Sequence, residues 1–236
     1  MEKKTKKCPF CAFTETEALI YQDGSFWRCR ECGGISRDPA TRLSPEAQRD
    51  RYLLHRNDLA DLGYRHWLEA YLDAVLGWLR RHRLPTEPEE LAVLDFGSGP
   101  NPALVALLRE RGYDAMGWDP FFCAEPVLAG SARLVTCLEV SEHFETPRQD
   151  LARLADALAV GGIAAIATHL LGSDGDTADR VGFFRSWWYR QDPTHVSFYT
   201  ERALIEAASS AALAPLGRAS TGPKGVDILF FTKKPR

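Results

Sequence analysis

Two cysteine pairs with identical internal spacing constrain this chain more than any other feature of its sequence. Cys8 and Cys11 form the first pair, and Cys29 and Cys32 form the second. Two intervening residues let both sulfurs of a pair bind one ion from a single tight turn, and two such turns complete the tetrahedron that zinc prefers. A segment of about forty residues is too short to bury a sufficient core, so metal would have to supply its folding free energy. The sequence therefore predicts a structural zinc site in a four-cysteine ribbon over residues 1–43.

All four positions of the predicted site are cysteines, so a bound ion would have no open position for catalysis. Two other interpretations stay open here, namely four unligated thiols or a labile redox pair. Residues 1–43 contain eight lysines and arginines against six aspartates and glutamates. Four thiolates and one Zn²⁺ would cancel that small positive excess, so the ribbon is not an obvious clamp for phosphate groups.

A helical segment is predicted over residues 44–88, where Ser44 can cap a helix that begins at Pro45. From about residue 89 to the end, short apolar strands alternate with helices. The predicted strands cover 91–95, 114–118, 133–138, 163–168 and 226–232, and the helices cover 102–111, 148–158 and 201–212. Such an alternation predicts an α/β domain over residues 89–236, with a parallel sheet between two helical layers.

Residues 93–102 have the pattern of a strand, a glycine turn and the start of a helix. Gly97 and Gly99, with Ser98 between them, let the backbone pass close beneath a ligand. Asp119 follows the next predicted strand about twenty residues later, where a carboxylate can bind the two hydroxyls of a ribose. These features together indicate a site for a nucleotide-type cofactor.

Charge and shape select between two cofactors of that type. A dinucleotide-binding loop needs a third small residue so that the helix can close over a pyrophosphate, and Pro102 occupies that place. Asp95, just before the glycines, would repel a pyrophosphate but would attract the ammonium end of S-adenosylmethionine. The pattern therefore favours a cationic sulfonium cofactor over a nicotinamide dinucleotide.

These segments together resemble class I S-adenosylmethionine-dependent methyltransferases. Residues 95–99 resemble the first motif of that class, Asp119 matches its ribose-binding acid, and residues 135–144 resemble its fourth-strand motif. The resemblance implies a Rossmann-like, seven-stranded sheet whose last strand, 226–232, is antiparallel. It also implies further cofactor contacts by Pro120, Leu138 and Glu139.

A narrower resemblance is to a bacterial group of methyltransferases with an N-terminal zinc ribbon. It rests on Arg51 and Tyr52 with the His55 and Asn57 that follow, on Gly63 and Tyr64, and on two further runs over 119–122 and 192–199. Many class I members have a third glycine where this chain has Asn101, which is a departure from the pattern. The cofactors that the resemblance implies are S-adenosylmethionine and a structural zinc ion.

Methyl transfer requires an aligned nucleophile and, for some acceptors, a base that removes a proton. Candidates lie after the carboxyl ends of the strands, where open α/β sheets bind ligands. His195 is the first candidate for a general base, with Asp192 available to orient its imidazole. Glu142, which follows the fourth strand, is the second catalytic candidate, and His143 beside it is interpreted as a structural contact.

An insertion over residues 171–199 interrupts the alternation and contains a run of aromatic residues between Phe183 and Tyr189. Insertions of this length are commonly functional. The aromatic side chains could form a lid over a substrate, or they could form a hydrophobic plug over the end of the sheet. The sequence favours neither interpretation.

The acceptor is the least constrained part of the prediction. A net charge of −3, a pI near 6.1 and the aromatic insertion favour a small molecule. An RNA acceptor, which would require a basic face, and a protein acceptor docked by the ribbon are the alternatives. A non-catalytic adaptor is the rival from another class. The lysine-rich start lacks a following apolar run and the sequence has no apolar stretch long enough for a bilayer, so we expect a cytoplasmic protein without a membrane partner.

Overall fold

The computed structural model describes residues 6–54, 57–125, 127–172, 180–222 and 225–235. Its N-terminal part is an antiparallel sheet of β1 (Thr16–Tyr21), β2 (Gly24–Cys29) and β3 (Ile35–Arg37). A fourth strand, β8 (Ser197–Phe198), pairs with β3 and comes from the far end of the chain. The ribbon sheet is therefore completed by a strand that lies two residues after His195.

Two helices follow the ribbon, α1 (Pro45–Tyr52) and α2 (Leu62–Arg81). The side chain of Ser44 accepts a hydrogen bond from the Ala47 backbone N–H at 3.3 Å, so the predicted cap and the proline at the first position are both present. Asp61 caps α2 in the same way. The apolar face of α2 packs on the large sheet, where the Trp78 ring stacks on Phe230.

The large sheet has the strand order β5-β4-β6-β7-β10-β9, and helices cover both of its faces. Strands β4 (Val93–Phe96), β5 (Ala115–Trp118), β6 (Ala132–Leu138) and β7 (Leu158–Thr168) are parallel to one another. Strand β10 (Asp227–Lys233) is antiparallel to both β7 and β9 (Leu213–Ser220), as predicted for the last strand. Between the strands lie α3 (Ala103–Glu110), α4 (Pro147–Ala157) and α6 (Glu201–Ser209). The predicted α/β fold is confirmed.

The sheet has six strands in the described residues, whereas the sequence predicted seven. The thirteen residues between β5 and β6 explain the difference. A parallel crossover needs a dozen residues or more, so this connection is too short to contain a further strand with its own crossover. Strand β5 is consequently the edge of the sheet.

The boundaries differ from the prediction in two further places. Helix α3 begins at Ala103, one residue after its predicted start, and Asn101 and Pro102 precede it without a side-chain hydrogen bond to the helix end. Strand β7 begins at Leu158, before its predicted start at residue 163, so Gly161 and Gly162 lie inside the strand. None of the helices in the described ranges is long and apolar enough to cross a membrane.

Within the insertion, the structure describes residues 171–172 and 180–199, including α5 (Arg180–Ser186). Three of the described aromatic residues pack against the ribbon. Phe184, Trp187 and Tyr189 are buried in one cluster with Phe26 of the ribbon and with Phe198. None of them lines the large cavity described below, and Trp188 is 61% exposed. Residues 173–179 lie outside the described residues.

Candidate active site

A cavity of about 650 Å³ opens at the carboxyl ends of β4, β5 and β6. Its volume falls within the range of small-molecule and cofactor sites. It is lined by every residue that the sequence proposed for cofactor binding, and also by both catalytic candidates: Asp95, Gly97, Ser98, Gly99, Asp119, Pro120, Leu138, Glu139, Glu142 and His195. The structure thus brings together side chains that are up to a hundred residues apart in the chain.

Two glycines shape the floor of this cavity, for different reasons. Gly97 has φ +86°, and a Cβ atom at this position would lie 2.4 Å from the Val140 side chain. Gly99 has φ +68°, but a Cβ atom there would meet nothing within 4 Å. Gly97 is therefore required by packing, whereas Gly99 leaves space where a ligand can approach the backbone.

Asp119 is buried at the end of β5 and holds the glycine loop in place. One carboxylate oxygen accepts the Gly99 backbone N–H at 3.0 Å, and the other accepts those of Phe121 at 2.8 Å and Phe122 at 3.2 Å. A carboxylate oxygen has two lone pairs, so Oδ2 can still accept one further donor from a ligand. Asp119 thus couples the ends of β4 and β5 at the position expected for a ribose contact.

Asp95 is 5% exposed and lies behind the glycine loop. The Thr136 hydroxyl of β6 donates a hydrogen bond to Asp95 Oδ1 at 2.9 Å. Burial raises the pKa of Asp95 to about 7, and the nearby Asp119 contributes in the same direction. A cation in the cavity would favour the ionised form of this carboxyl.

The remaining predicted cofactor residues lie at two neighbouring edges of the cavity. Pro120 is exposed just beyond β5, while Leu138 ends β6 and is half-buried. Glu139 follows in the left-handed region at φ +53°, which is uncommon for a residue other than glycine. Its side chain lies 3.9 Å from the His169 imidazole.

Glu142 and His143 lie in a single 3-10 turn, Ser141–His143, directly after β6. Glu142 is 1% exposed, and its Oε2 accepts a hydrogen bond from the Thr168 hydroxyl at 3.0 Å. The Nδ1 atom of His143 lies 3.1 Å from the Thr194 carbonyl oxygen, and the ring packs against Tyr52 and against the His195 ring. His143 is thus a lining residue of the cavity, in addition to the structural contact that the sequence indicated.

His195 lines the same cavity as Glu142, and its Nδ1 atom is 2.7 Å from the Tyr189 carbonyl oxygen. The expectation that Asp192 orients this imidazole is wrong. Asp192 accepts hydrogen bonds from the backbone N–H and the hydroxyl of Thr194 and forms an ion pair with Arg51 at 3.0 Å. Burial lowers the pKa of His195 to about 4, so the ring is neutral at physiological pH.

Several cavity residues were not identified from the sequence. The N-terminal helices supply Tyr52 from α1 and Tyr64, Trp67 and Leu68 from α2. Their helical spacing predicted a buried face without indicating what that face covers. A usable signal was the pair of runs that begin at Arg51 and Asp192, since these two residues prove to be ion-paired.

The four cysteines of the ribbon have the geometry of a metal site. The Cys8 and Cys32 sulfurs are 3.7 Å apart, those of Cys11 and Cys29 are 3.6 Å apart, and all four lie within 4.8 Å of one another. A tetrahedral zinc ion with bonds of about 2.3 Å requires sulfurs about 3.8 Å apart. The hydrogen bond with Cys32 lowers the pKa of Cys8 to about 5, whereas burial raises that of Cys11 to about 11. The set therefore fits a zinc ion, whose charge would stabilise all four thiolates.

Comparison with known proteins places this geometry in a family. Residues 64–215, well over half of the chain, match the family model described as a methyltransferase domain. The chain belongs to the methyltransferase domain family. This membership confirms the predicted class of enzyme, an S-adenosylmethionine-dependent methyltransferase, and agrees with the cavity at the strand ends. A search of curated proteins finds no match.

Two solved structures of methyltransferases have a similar fold. One is the 1,6-didemethyltoxoflavin-N1-methyltransferase of Burkholderia thailandensis, with bound 1,6-didemethyltoxoflavin and S-adenosylhomocysteine. It is 16% identical, the match covers 94% of this chain and 100% of that one, and the TM-score is 0.55. The other is a TehB-like methyltransferase of Corynebacterium glutamicum, with 17% identity, coverage of 80% and 100%, and a TM-score of 0.50. At these identities the likeness concerns the fold.

Proposed function

We propose that this methyltransferase transfers a methyl group from S-adenosylmethionine to a small-molecule acceptor bound in the same cavity. The observation that carries the proposal is the single cavity that contains both the cofactor residues and the catalytic candidates. S-adenosylmethionine supplies a methyl group on a cationic sulfur. The related Burkholderia enzyme, which binds a small molecule and S-adenosylhomocysteine, supports both parts of the proposal. A cytoplasmic location is part of the proposal, since a four-thiol metal site suits a reducing compartment.

The cofactor end of the cavity is assigned to residues around the glycine loop. Asp119 would bind the ribose hydroxyls, and Ser98 and Gly99 would border the ligand where the backbone leaves open space. Asp95 would supply the negative charge that favours a sulfonium cofactor. Pro120, Leu138 and Glu139 would complete the wall at the ends of β5 and β6.

The acceptor end is assigned to Glu142 and His195. Because its Nδ1 proton is donated to the Tyr189 carbonyl, His195 presents a lone pair on Nε2. This lone pair would accept the proton that an oxygen or nitrogen nucleophile loses as it becomes methylated. A weak base is sufficient here, because the attacking group becomes strongly acidic as its new bond to carbon forms. Glu142 would favour the positive charge that His195 then carries.

The cofactor assignment is tested by calorimetric titration with S-adenosylhomocysteine and S-adenosylmethionine. We expect the wild-type chain to bind both, and Asp119→Ala to weaken both by at least about tenfold, because a hydrogen bond from the ligand to a charged group is lost. Asp114→Ala, on an exposed residue five positions earlier, is the matched control and should bind like wild type. An absence of binding at millimolar cofactor would refute the proposed enzyme.

The acceptor is found with labelled cofactor and cell extract separated into small-molecule, RNA and protein fractions. We expect label in the small-molecule fraction. On the acceptor so identified, His195→Ala should lower turnover by about 100-fold, since a positioned base contributes at least that much. His66→Ala, on the exposed face of α2, should leave turnover unchanged. Label found only in RNA or protein would overturn the small-molecule acceptor, and turnover within a few-fold in His195→Ala would overturn the base.

A further inference from the structure

The acceptor end of the cavity contains a cluster of three potential metal ligands. Glu142 and His143 come from the turn after β6, and His195 comes from the loop before β8. One candidate ligand atom from each residue lies within 4.8 Å of the other two. All three residues line the cavity, so an ion bound among them would be accessible to a substrate.

Both histidines are fixed in the form that binds metals. Nδ1 of His143 lies 3.1 Å from the carbonyl oxygen of Thr194, and Nδ1 of His195 lies 2.7 Å from that of Tyr189. A carbonyl oxygen only accepts hydrogen bonds, so each Nδ1 carries a proton, and in the neutral ring Nε2 is the nitrogen that carries the lone pair. Metal-binding histidines show the same arrangement, with the second ring nitrogen donating to a backbone carbonyl or a carboxylate.

Glu142 provides an independent observation. Its side chain is almost completely buried, and while Oε2 accepts the Thr168 hydroxyl, Oε1 has no hydrogen-bond partner among the described residues. His143 Nε2 lies 3.7 Å from this oxygen, which is beyond hydrogen-bond range. A buried carboxylate oxygen without a donor is costly. A cation among the three side chains would satisfy both the oxygen and the two lone pairs.

We infer that Glu142, His143 and His195 bind a divalent transition-metal ion at the acceptor end of the cavity. Two imidazoles and one carboxylate form a three-ligand set that leaves coordination positions open on the cavity side. An acceptor with a hydroxyl or another ionisable oxygen would occupy such a position, and the ion would lower the pKa of that group. In the ion-loaded protein the Nε2 lone pair of His195 would bind the ion and would no longer accept the proton. The acceptor oxygen would release its proton to water on binding the ion, and would then attack the methyl group as S-adenosylhomocysteine leaves. The inference deepens the proposed function and depends on it for the position of the acceptor.

The test uses the full chain with its ribbon already loaded with zinc, titrated with Co²⁺ and followed by calorimetry and visible absorption. Thiolates hold zinc firmly, whereas a site of nitrogen and oxygen ligands accepts cobalt. We expect one Co²⁺ ion to bind per chain without loss of zinc. The visible absorption of the bound ion should be weak, as expected for nitrogen and oxygen ligands. Glu142→Gln and His143→Ala should each weaken Co²⁺ binding by at least about 100-fold, and His66→Ala should not.

Zinc content and circular dichroism show whether each variant is folded, and Glu142→Gln preserves the shape of the side chain. The inference is overturned if no Co²⁺ beyond the ribbon binds at millimolar concentration, or if both variants bind it as wild type does. Binding of S-adenosylhomocysteine is measured on the same preparation. If S-adenosylhomocysteine binds and Co²⁺ does not, only the metal site is refuted. If Co²⁺ binds and S-adenosylhomocysteine does not, only the proposed function is refuted.

Discussion

Burial and a cationic cofactor favour opposite protonation states of the Asp95 carboxyl group. Its burial favours the neutral acid and raises its pKa to about 7, although the hydrogen bond from Thr136 acts in the other direction, whereas a cationic cofactor would favour the carboxylate. A residue of this kind lowers the stability of the cofactor-free protein in order to serve the bound state. Perturbed carboxyl groups are commonly found at functional sites for this reason.

The stability of the cofactor-free protein should therefore depend on Asp95 between pH 4 and pH 7. In the unfolded chain this carboxyl ionises near pH 4, but in the folded chain it stays protonated until about pH 7. The folded state binds the extra proton in this interval, so the free energy of unfolding falls as pH rises, by up to about 4 kcal/mol. Above pH 7 this contribution is constant.

Denaturant unfolding of wild type and Asp95→Asn at pH 4.5, 6 and 8 measures this contribution. The amide does not ionise, so the variant should gain stability relative to wild type as pH increases. Asp114→Asn, on the exposed residue before β5, should follow the wild-type profile. Parallel profiles for wild type and Asp95→Asn would show that Asp95 does not resist ionisation in the folded state.

The sequence predicted those site residues that belong to a local pattern, and it missed contacts between distant segments of the chain. Gly97, Gly99 and Asp119 were identified because a strand, a tight turn and a carboxylate after the next strand leave a local pattern. The tautomers of His143 and His195 were not predictable, since they depend on carbonyl groups of a separate loop. The same limit explains why Asp192 was wrongly expected to orient His195.

At the scale of elements, the buried parallel strands β4, β6 and β7 were predicted because continuous apolar runs between glycine and helix signals are sufficient evidence for them. Strand β9 was missed because it is mostly exposed and contains Pro215 and Gly217, which are residues typical of an edge strand. Strand β8 has only two residues, and its partner β3 lies about 160 residues earlier in the chain. No local sequence pattern predicts a pairing between segments so far apart.

The pairing of β3 with β8 brings the ribbon into contact with the loop that contains His195. The Arg37 side chain at the end of β3 is buried and donates to the carbonyl oxygen of His195 at 3.1 Å and to that of Arg190 at 3.3 Å. The Thr200 hydroxyl, which caps α6, also donates to the carbonyl oxygen of Cys32 at 2.6 Å. The loop that presents His195 is thus held between the ribbon and the large sheet.

At the scale of the whole molecule, the ribbon and the methyltransferase core share apolar contacts. Cys8, Phe10, Cys29 and Cys32 belong to the same buried cluster as residues of β4, β6 and α6, and the Phe10 ring packs on Tyr199. A structural zinc site contributes on the order of 10 kcal/mol or more to folding, which is comparable with the stability of a whole domain. Loss of the proposed ion should therefore affect the His195 loop as well as the ribbon.

Hydrogen exchange measured by mass spectrometry tests this coupling, using wild type with and without a zinc chelator and the variant Cys8→Ser. We expect fast exchange throughout β1–β3 without zinc, and faster exchange over residues 189–199, since β8 and the Arg37 contacts lose their partner. Strands β4 and β5 should stay protected, because their pairing does not involve the ribbon. Cys123→Ser, which removes an exposed thiol outside the ribbon, should exchange like wild type. Unchanged protection over residues 189–199 in a protein whose ribbon exchanges freely would show that the ribbon does not position His195.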